Sequence, residues 1–237
     1  MSAQPRPGRR PGRPPSLSRD DVARAAIDEG MTNLSMPTVA GRLGVSHSTL
    51  YRYVHDRDDL ALAALDLAVR EFDWPSADLT WRDLLTAFAD ALWTFLRRFP
   101  GMAEAIQSAP GLPPRVTQLI AAYVTRLRAE GLSGRDAAVA VDFVADLTVA
   151  TEIAMRGLER EFDTPGGRRS LRQIYQESLA GLIDADPSFA DEQTFHGRGW
   201  LDQKLAILLD GLATRIGADI AGNVRRQFPR PPTTATT

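Results

Sequence analysis

The chain has 237 residues, 43% of them hydrophobic and 24% charged, with a formal net charge of −2. That is enough apolar material for one or two compact domains, and a polycation is excluded. Cysteine is absent, which excludes disulfides, thiolate metal sites and cysteine nucleophiles. No secretory segment opens the sequence and no apolar run is long enough to span a bilayer, so a cytoplasmic protein with no membrane partner is expected.

Residues 1–17 are rich in Pro, Gly and Arg and lack apolar periodicity, which predicts a disordered arm. Its Arg6, Arg9, Arg10 and Arg13 precede the first acidic residue, Asp20. A basic arm on a mildly acidic body points to a local anionic partner, nucleic acid first among them. Ser18 can cap a first helix, with Asp21 completing a capping box and Val22, Ala25 and Ala26 on one face. Ser35 opens a short helix whose Val39, Ala40 and Leu43 point inward. Pro37 is tolerated there because a first-turn residue makes no ladder bond. Gly44 supplies the turn, and Ser46 caps a third helix predicted to run through Tyr53.

A fourth helix is predicted from Arg57 past Leu67, ending by Trp74-Pro75-Ser76. The next carries Trp81, Leu84, Leu85, Phe88, Leu92, Phe95, Leu96 and Phe99 on one stripe and stops at Pro100-Gly101. After a loop at 110–114 comes a helix bearing Val116, Leu119, Ile120, Tyr123 and Leu127. The segment from Ser133 to Glu161 is apolar on two faces. Val141, Val144, Thr148 and Met155 lie on one, and Val139, Phe143, Leu147, Ala150 and Leu158 on the other. Such a helix is buried on both sides, and a second subunit is one candidate partner. Helices are further predicted at 169–183 and from Trp200 to about Ile220, with no convincing strand. The fold class is therefore all-α: an N-terminal three-helix helix-turn-helix domain over 18–72, a larger helical ligand-binding and dimerisation domain over 73–222, and a flexible tail over 223–237.

Chemistry concentrates between Ser35 and Val54, where two short helices meet at a glycine turn. Their shared core would be Val39, Ala40, Leu43, Val45 and Leu50. Ser46, His47, Ser48, Thr49, Tyr51, Arg52 and Tyr53 remain on the outside. Hydroxyls, an imidazole and a guanidinium match the base edges and phosphates of a major groove. Arg57, at the start of the next helix, is placed to touch a phosphate.

The framework Ala40…Leu43-Gly44-Val45-Ser46…Thr49-Leu50-Tyr51…Val54 resembles the helix-turn-helix of the tetracycline-repressor family, from Ser18 to about Leu67. The resemblance implies that Thr49 and Tyr51 contact DNA, that Tyr53 lies close to the DNA backbone, and that Arg57 holds a phosphate. Many members place an Arg or another polar reader where this chain has Pro37. Recognition from the first helix of the motif then falls to Thr38, and a relative's operator cannot be transferred. In the arm, Pro11-Gly12-Arg13-Pro14 resembles the core of an AT-hook, in which Arg13 would enter an A·T-rich minor groove. Simple phosphate attraction and an inert tail are the alternatives.

The remainder resembles, less specifically, the helical C-terminal domain of the tetracycline-repressor branch, on Ala129-Glu130-Gly131-Leu132-Ser133 and the closing Leu205…Leu208-Leu209…Gly211-Leu212 pattern. That implies a homodimer in which the long and last helices pair with their copies. The last helix offers Leu201, Leu205, Leu208, Leu212 and Ile216 as the dimer stripe. Two readers one DNA turn apart imply a near-palindromic double-stranded operator. Phe88, Trp93, Met102, Tyr123, Phe143, Thr148, Thr151, Glu152 and Met155 are the candidate lining of a small-molecule effector pocket, with ordinary core packing as the alternative for each. Glu152, a carboxylate within an apolar helix, calls for a partner such as an arginine or a cationic ligand, with simple exposure to solvent as the alternative. In this scheme effector binding shifts the helix near Leu60–Glu71 and changes the spacing of the two readers.

Of the three histidines, His47 and His55 belong to the reader and His196 stands alone, so no metal cluster and no cofactor are expected. No nucleophile elbow or phosphate-cradling loop argues for an enzyme. A DNA-binding regulator released by an effector, most simply a repressor, is the leading reading. A ligand-independent or partner-controlled activator or architectural protein with the same reader is the alternative.

Overall fold

The computed structural model describes residues 17–186 and 195–227, with side chains to residue 216. Arg13 and the rest of the arm, and the tail beyond Gln227, lie outside the described residues. The first four helices are α1 (Arg19–Glu29), α2 (Met36–Leu43), α3 (His47–Leu50) and α4 (Arg57–Arg70). Then come α5 (Trp81–Arg98), α6 (Met102–Ser108), α7 (Pro114–Ala129) and the 24-residue α8 (Gly134–Gly157). A hairpin of β1 (Glu161–Thr164) and β2 (Gly167–Ser170) leads to α9 (Leu171–Ser178) and α10 (Ala180–Ala185), and α11 (Leu201–Gln227) follows. The fold is mostly helical, as expected, with the reading motif at the N-terminal end.

The predicted caps form where local chemistry demands them. Ser18 and Asp21 make the full capping box of α1, and Ser35, Ser46 and Asp56 each accept an N-terminal amide of α2, α3 and α4. Each such cap is worth about 1 kcal/mol, because it satisfies an amide that the helix itself cannot. Gly44 ends α2 in the left-handed region (φ 64°), donating to α2's last carbonyls.

Besides α6, which was not expected, three departures from the expected elements have local causes. The third helix is shorter than predicted: only His47–Leu50 is α-helical, and Tyr51, Arg52 and Tyr53 continue as turns in which the Arg52 and Tyr53 amides bond the Thr49 and Leu50 carbonyls at shorter sequence separation. Pro165-Gly166, expected only to break a helix, lies at the tip of an antiparallel hairpin pairing Glu161 with Ser170 and Thr164 with Gly167. The single helix expected over 169–183 is two short ones, neither with a buried residue.

One apolar core runs through the chain from Val22 to Ile216. In the N-terminal part, α1 lies on α4, and Val22, Ala26, Val39, Leu50 and Leu60 are fully enclosed or nearly so. In the C-terminal part, α8 packs against α5 and α7. Phe72, Trp74, Phe88, Phe95, Phe99 and Tyr123 form a chain of ring contacts at centroid distances of 5.0–6.1 Å between the two. Burying each such ring stabilises the fold by about 2–3 kcal/mol. The Trp74 indole donates to the Val69 carbonyl (2.9 Å) and the Tyr123 hydroxyl to the Pro75 carbonyl (2.9 Å), so their polar atoms are satisfied. Together they tie the end of α4 to the helices that follow.

Candidate nucleic-acid interface

The reader is a small exposed surface on a rigid base. Leu50 and Val54 anchor it in the core, while Ser46, His47, Ser48, Tyr51 and Arg52 are exposed and Thr49 and Tyr53 half-buried. The Ser46 hydroxyl lies 2.9 Å from that of Ser48 and 2.8 Å from that of Thr49, while accepting the Thr49 amide. This ties the three hydroxyls into one patch at the start of α3. His47 stands edge-on to Tyr51, with centroids 5.0 Å apart, which fixes the direction of the Tyr51 ring. Donors, acceptors and an aromatic edge thus face outward together, the composition that reads base edges.

Thr38 and Pro37 are exposed on α2, but the Thr38 hydroxyl donates back to the Ser35 carbonyl (2.9 Å). Its donor is occupied within the cap, and the hydroxyl retains acceptor capacity. Arg57 also has a second role that sequence did not show: its Nε donates to the Leu34 carbonyl (3.0 Å), holding the turn that enters α2. The rest of its guanidinium remains exposed at the start of α4.

Sequence reading overlooked Arg19. Its Nη1 donates to the Tyr53 carbonyl (2.6 Å), and its guanidinium pairs with Asp59 on α4. A cation at a helix start opposes the helix dipole, the one signal that could have marked it for a tertiary partner. Asp59 also accepts the His55 amide (2.8 Å) and faces His55 Nδ1 (3.0 Å). The hydrogen bond from Arg19 holds the Asp59 carboxyl well below the usual carboxylate range, against the opposing effect of burial and with help from His55. Stability from a depressed carboxyl is present above its unfolded value, about 3.9, and is lost as pH falls through the folded one. The melting temperature of the protein should therefore exceed that of Asp59→Asn by a constant margin from pH 8 to about 4, and the gap should close below that. Melting curves that stay parallel down to pH 2 would count against the clasp.

Of the remaining candidate residues, Phe88 and Tyr123 meet ring to ring, with centroids 5.2 Å apart. Phe88, Met102, Tyr123, Thr148, Thr151 and Glu152 are buried, while Trp93 and Met155 are half-buried. Phe143 is a correction: it is 48% exposed and lies on the opposite face of α8, against α11. At the helical period it lies about 100° around the helix from Val144 and about 140° from Thr148, so it does not share their inward face. The Thr148 and Thr151 hydroxyls bond back to α8 carbonyls (2.7 Å each). Glu152 finds the arginine that was expected: Arg156 Nε lies 3.1 Å away, one turn on.

The expected dimer stripe lies mostly inward, although Leu208 and Leu212 also line a groove between α8 and α11. Leu201, Leu205, Leu212 and Ile216 are buried against their own chain, and Leu208 is partly buried. The most apolar face of α11 turns to the intramolecular core, because that core forms first claim on apolar area within one chain. The face left outward joins α8 to form a groove of about 640 Å³, with Val139, Phe143, Leu147, Ile207 and Leu208 along it. Ile207 is 75% exposed and Val139 54%. An Asp136–Arg215 pair (2.9 Å) and Lys204 also line it.

A helix-turn-helix with an exposed polar reader, carried on a helical body, defines a DNA-binding regulatory protein. Residues 21–64 match the family model described as bacterial regulatory proteins, tetR family. The chain is 32% identical over 190 residues to the HTH-type transcriptional repressor DrrR1 of Streptomyces coeruleorubidus, covering 76% of this chain and 64% of that one. It thus spans under two thirds of that relative's length. An HTH-type transcriptional regulator of Saccharopolyspora erythraea is 27% identical over 225 residues, covering 90% of this chain and 92% of the other. The fold is similar to that of ActR from Streptomyces coelicolor, solved in complex with actinorhodin: TM-score 0.63, 21% identity, 88% of this chain and 97% of that one. The helix-turn-helix over 21–64 is thus that of the tetR family of bacterial regulatory proteins. Among the described residues, no helix is long and apolar enough to cross a membrane and no group of acidic or histidine side chains could hold a metal.

Proposed function

We propose that this protein is a cytoplasmic transcriptional repressor that binds a near-palindromic operator as a homodimer and is released by a small-molecule effector held in the domain over 73–222. The observation that carries the DNA reading is the outward patch of Ser46, His47, Ser48, Thr49, Tyr51 and Arg52 on the buried anchor of Leu50. Homodimerisation draws on the exposed apolar groove between α8 and α11, where a second copy would bury Val139, Phe143 and Ile207. Its volume lies in the range of ligand sites, but its residues stand at the surface, as an interface requires. The effector reading draws on the fold shared with ActR, which was solved with actinorhodin bound.

The decisive experiment is operator binding by Tyr51→Ala, with the operator selected by the protein from random duplex DNA. Losing one good contact costs about 1–3 kcal/mol, and a homodimer loses it twice. Affinity should fall by roughly 100-fold or more, while the oligomeric state stays unchanged. A change within a few-fold would remove Tyr51 from the reading surface.

A second reading, a partner-controlled DNA-binding protein without an effector, has one observation in its favour. The Thr148 and Thr151 hydroxyls are spent on α8 carbonyls and Glu152 is paired with Arg156, so these candidate effector contacts are satisfied within the chain. Release of operator DNA by a protein partner, and by no compound in a broad small-molecule panel, would select it.

A further inference from the structure

A buried charge in α8 is tied to the reader through a short chain of contacts. The Glu152 side chain is only 4% exposed. An enclosed carboxylate needs a cation, and Arg156 supplies it through Nε at 3.1 and 3.4 Å. The same guanidinium reaches across with Nη2 to Glu104 on α6. One cation therefore joins two carboxylates on two helices, and any displacement of the last turn of α8 carries Glu104 with it.

In the same first turn that bears Glu104, α6 meets the N-terminal domain backbone to backbone. Gly101, at the start of α6, stands so close to the turn after α1 that an added Cβ would lie 2.4 Å from the Thr32 amide nitrogen. The Met31 amide donates to the Pro100 carbonyl (3.3 Å). Two residues further on, Leu34 receives Arg57, and Ser35 caps α2. Between α6 and α4 lies a cavity of about 130 Å³, bordered by Ala61, Leu65, Ala105 and Ser108. That is the size of a benzene-binding void and below the range of effector sites. It gives the rest of α6 clearance to shift against α4 while its first turn stays attached.

We propose that the Glu152–Arg156–Glu104 bridge is the link by which the C-terminal domain sets the reader, with Arg156 as the positioning residue. This rests on the DNA-binding reading above. Coupling between two sites is reciprocal, so the link can be tested from the DNA side without knowing the effector. The selected operator duplex is added to the full chain, and amide hydrogen exchange is followed over 102–108 and 152–157. In the unsubstituted protein, exchange should slow in both segments by at least about five-fold. Glu104→Gln removes the cross-helix ion pair at a half-exposed site, so the melting temperature should stay within about 2 °C. In that variant the slowing over 102–108 should persist, since it runs through Gly101 and Thr32, and the slowing over 152–157 should vanish. Equal slowing over 152–157 in both proteins would overturn the proposal. Operator affinity of the unsubstituted protein reads the DNA-binding function, and the difference between the two proteins reads this link.

Discussion

Phe143→Glu should yield a folded monomer with little hold on operator DNA. Phe143 is 48% exposed, so the isolated chain loses little by the change, within about 0.5 kcal/mol. In a symmetric pair the substitution enters the interface twice and places two carboxylates in an apolar groove. Desolvating each ion costs several kcal/mol, so the dimer should weaken by roughly 100-fold or more. Sedimentation equilibrium should then show monomer at concentrations where the unsubstituted chain is dimeric. Two linked readers hold DNA about 10²–10⁴-fold better than one, so operator affinity should fall by a comparable factor. Leu205→Ala provides the contrast. Leu205 is buried in its own chain, so truncation should cost about 2–5 kcal/mol of folding stability and leave association intact. A Phe143→Glu protein that remains dimeric would exclude the α8–α11 groove as the interface.

Gly101→Ala should be the most damaging single-methyl change at the domain junction. Gly101 has φ 84°, and the left-handed region costs a side chain about 1–2 kcal/mol. The added Cβ would also meet the Thr32 nitrogen at 2.4 Å and the Met31 carbonyl carbon at 2.9 Å, both of them backbone. No rotamer relieves that, so α6 and the turn before α2 must part. Total cost should be about 3 kcal/mol, a fall in Tm of roughly 6–12 °C for a chain of this size. Gly44→Ala isolates the conformational share: φ is 64° there too, but nothing lies within 4 Å of the added atom. Its cost should be about 1 kcal/mol. Thermal unfolding of the two variants separates the terms, and equal losses would show that the junction is not tightly packed.

The two predictions bear on different levels of the same scheme. In the proposed homodimer, association would set where two readers stand on DNA, and the junction sets how each reader is held against its own body. Arg57 and Arg19 belong to this second level as well. Each bonds a backbone carbonyl flanking the reader, at Leu34 and Tyr53, so the patch between them is clasped at both ends. Rigid support of this kind lets short side chains such as Ser46 and Thr49 act at fixed positions.

How much of this was legible in the chain follows from the range of the interactions involved. Caps and turns act over three or four residues, so Ser18, Ser35, Gly44 and Ser46 could be read directly and stand where expected. The stripe from Trp81 to Phe99 was equally plain, because a single amphipathic helix repeats its period over many turns. The need of Glu152 for a cation was readable from burial alone, and Arg156 lies one turn away. What sequence left open was which partner each apolar face meets. Leu201, Leu205, Leu212 and Ile216 are the most apolar stripe of α11, and only packing shows that their own core takes it, leaving Ile207 and Phe143 outside. The seven-residue α6 is too short to print a period, so Glu104 and its tie to Arg156 were invisible. Arg19 pairs with a residue 40 positions away, a distance over which no local pattern operates. The sequence by itself determined the long helices, their caps and the residues gathered at the reader, since these are local. Tertiary structure alone decided which faces remain free and how the C-terminal helices reach the reader, because those depend on contacts between segments far apart in the chain.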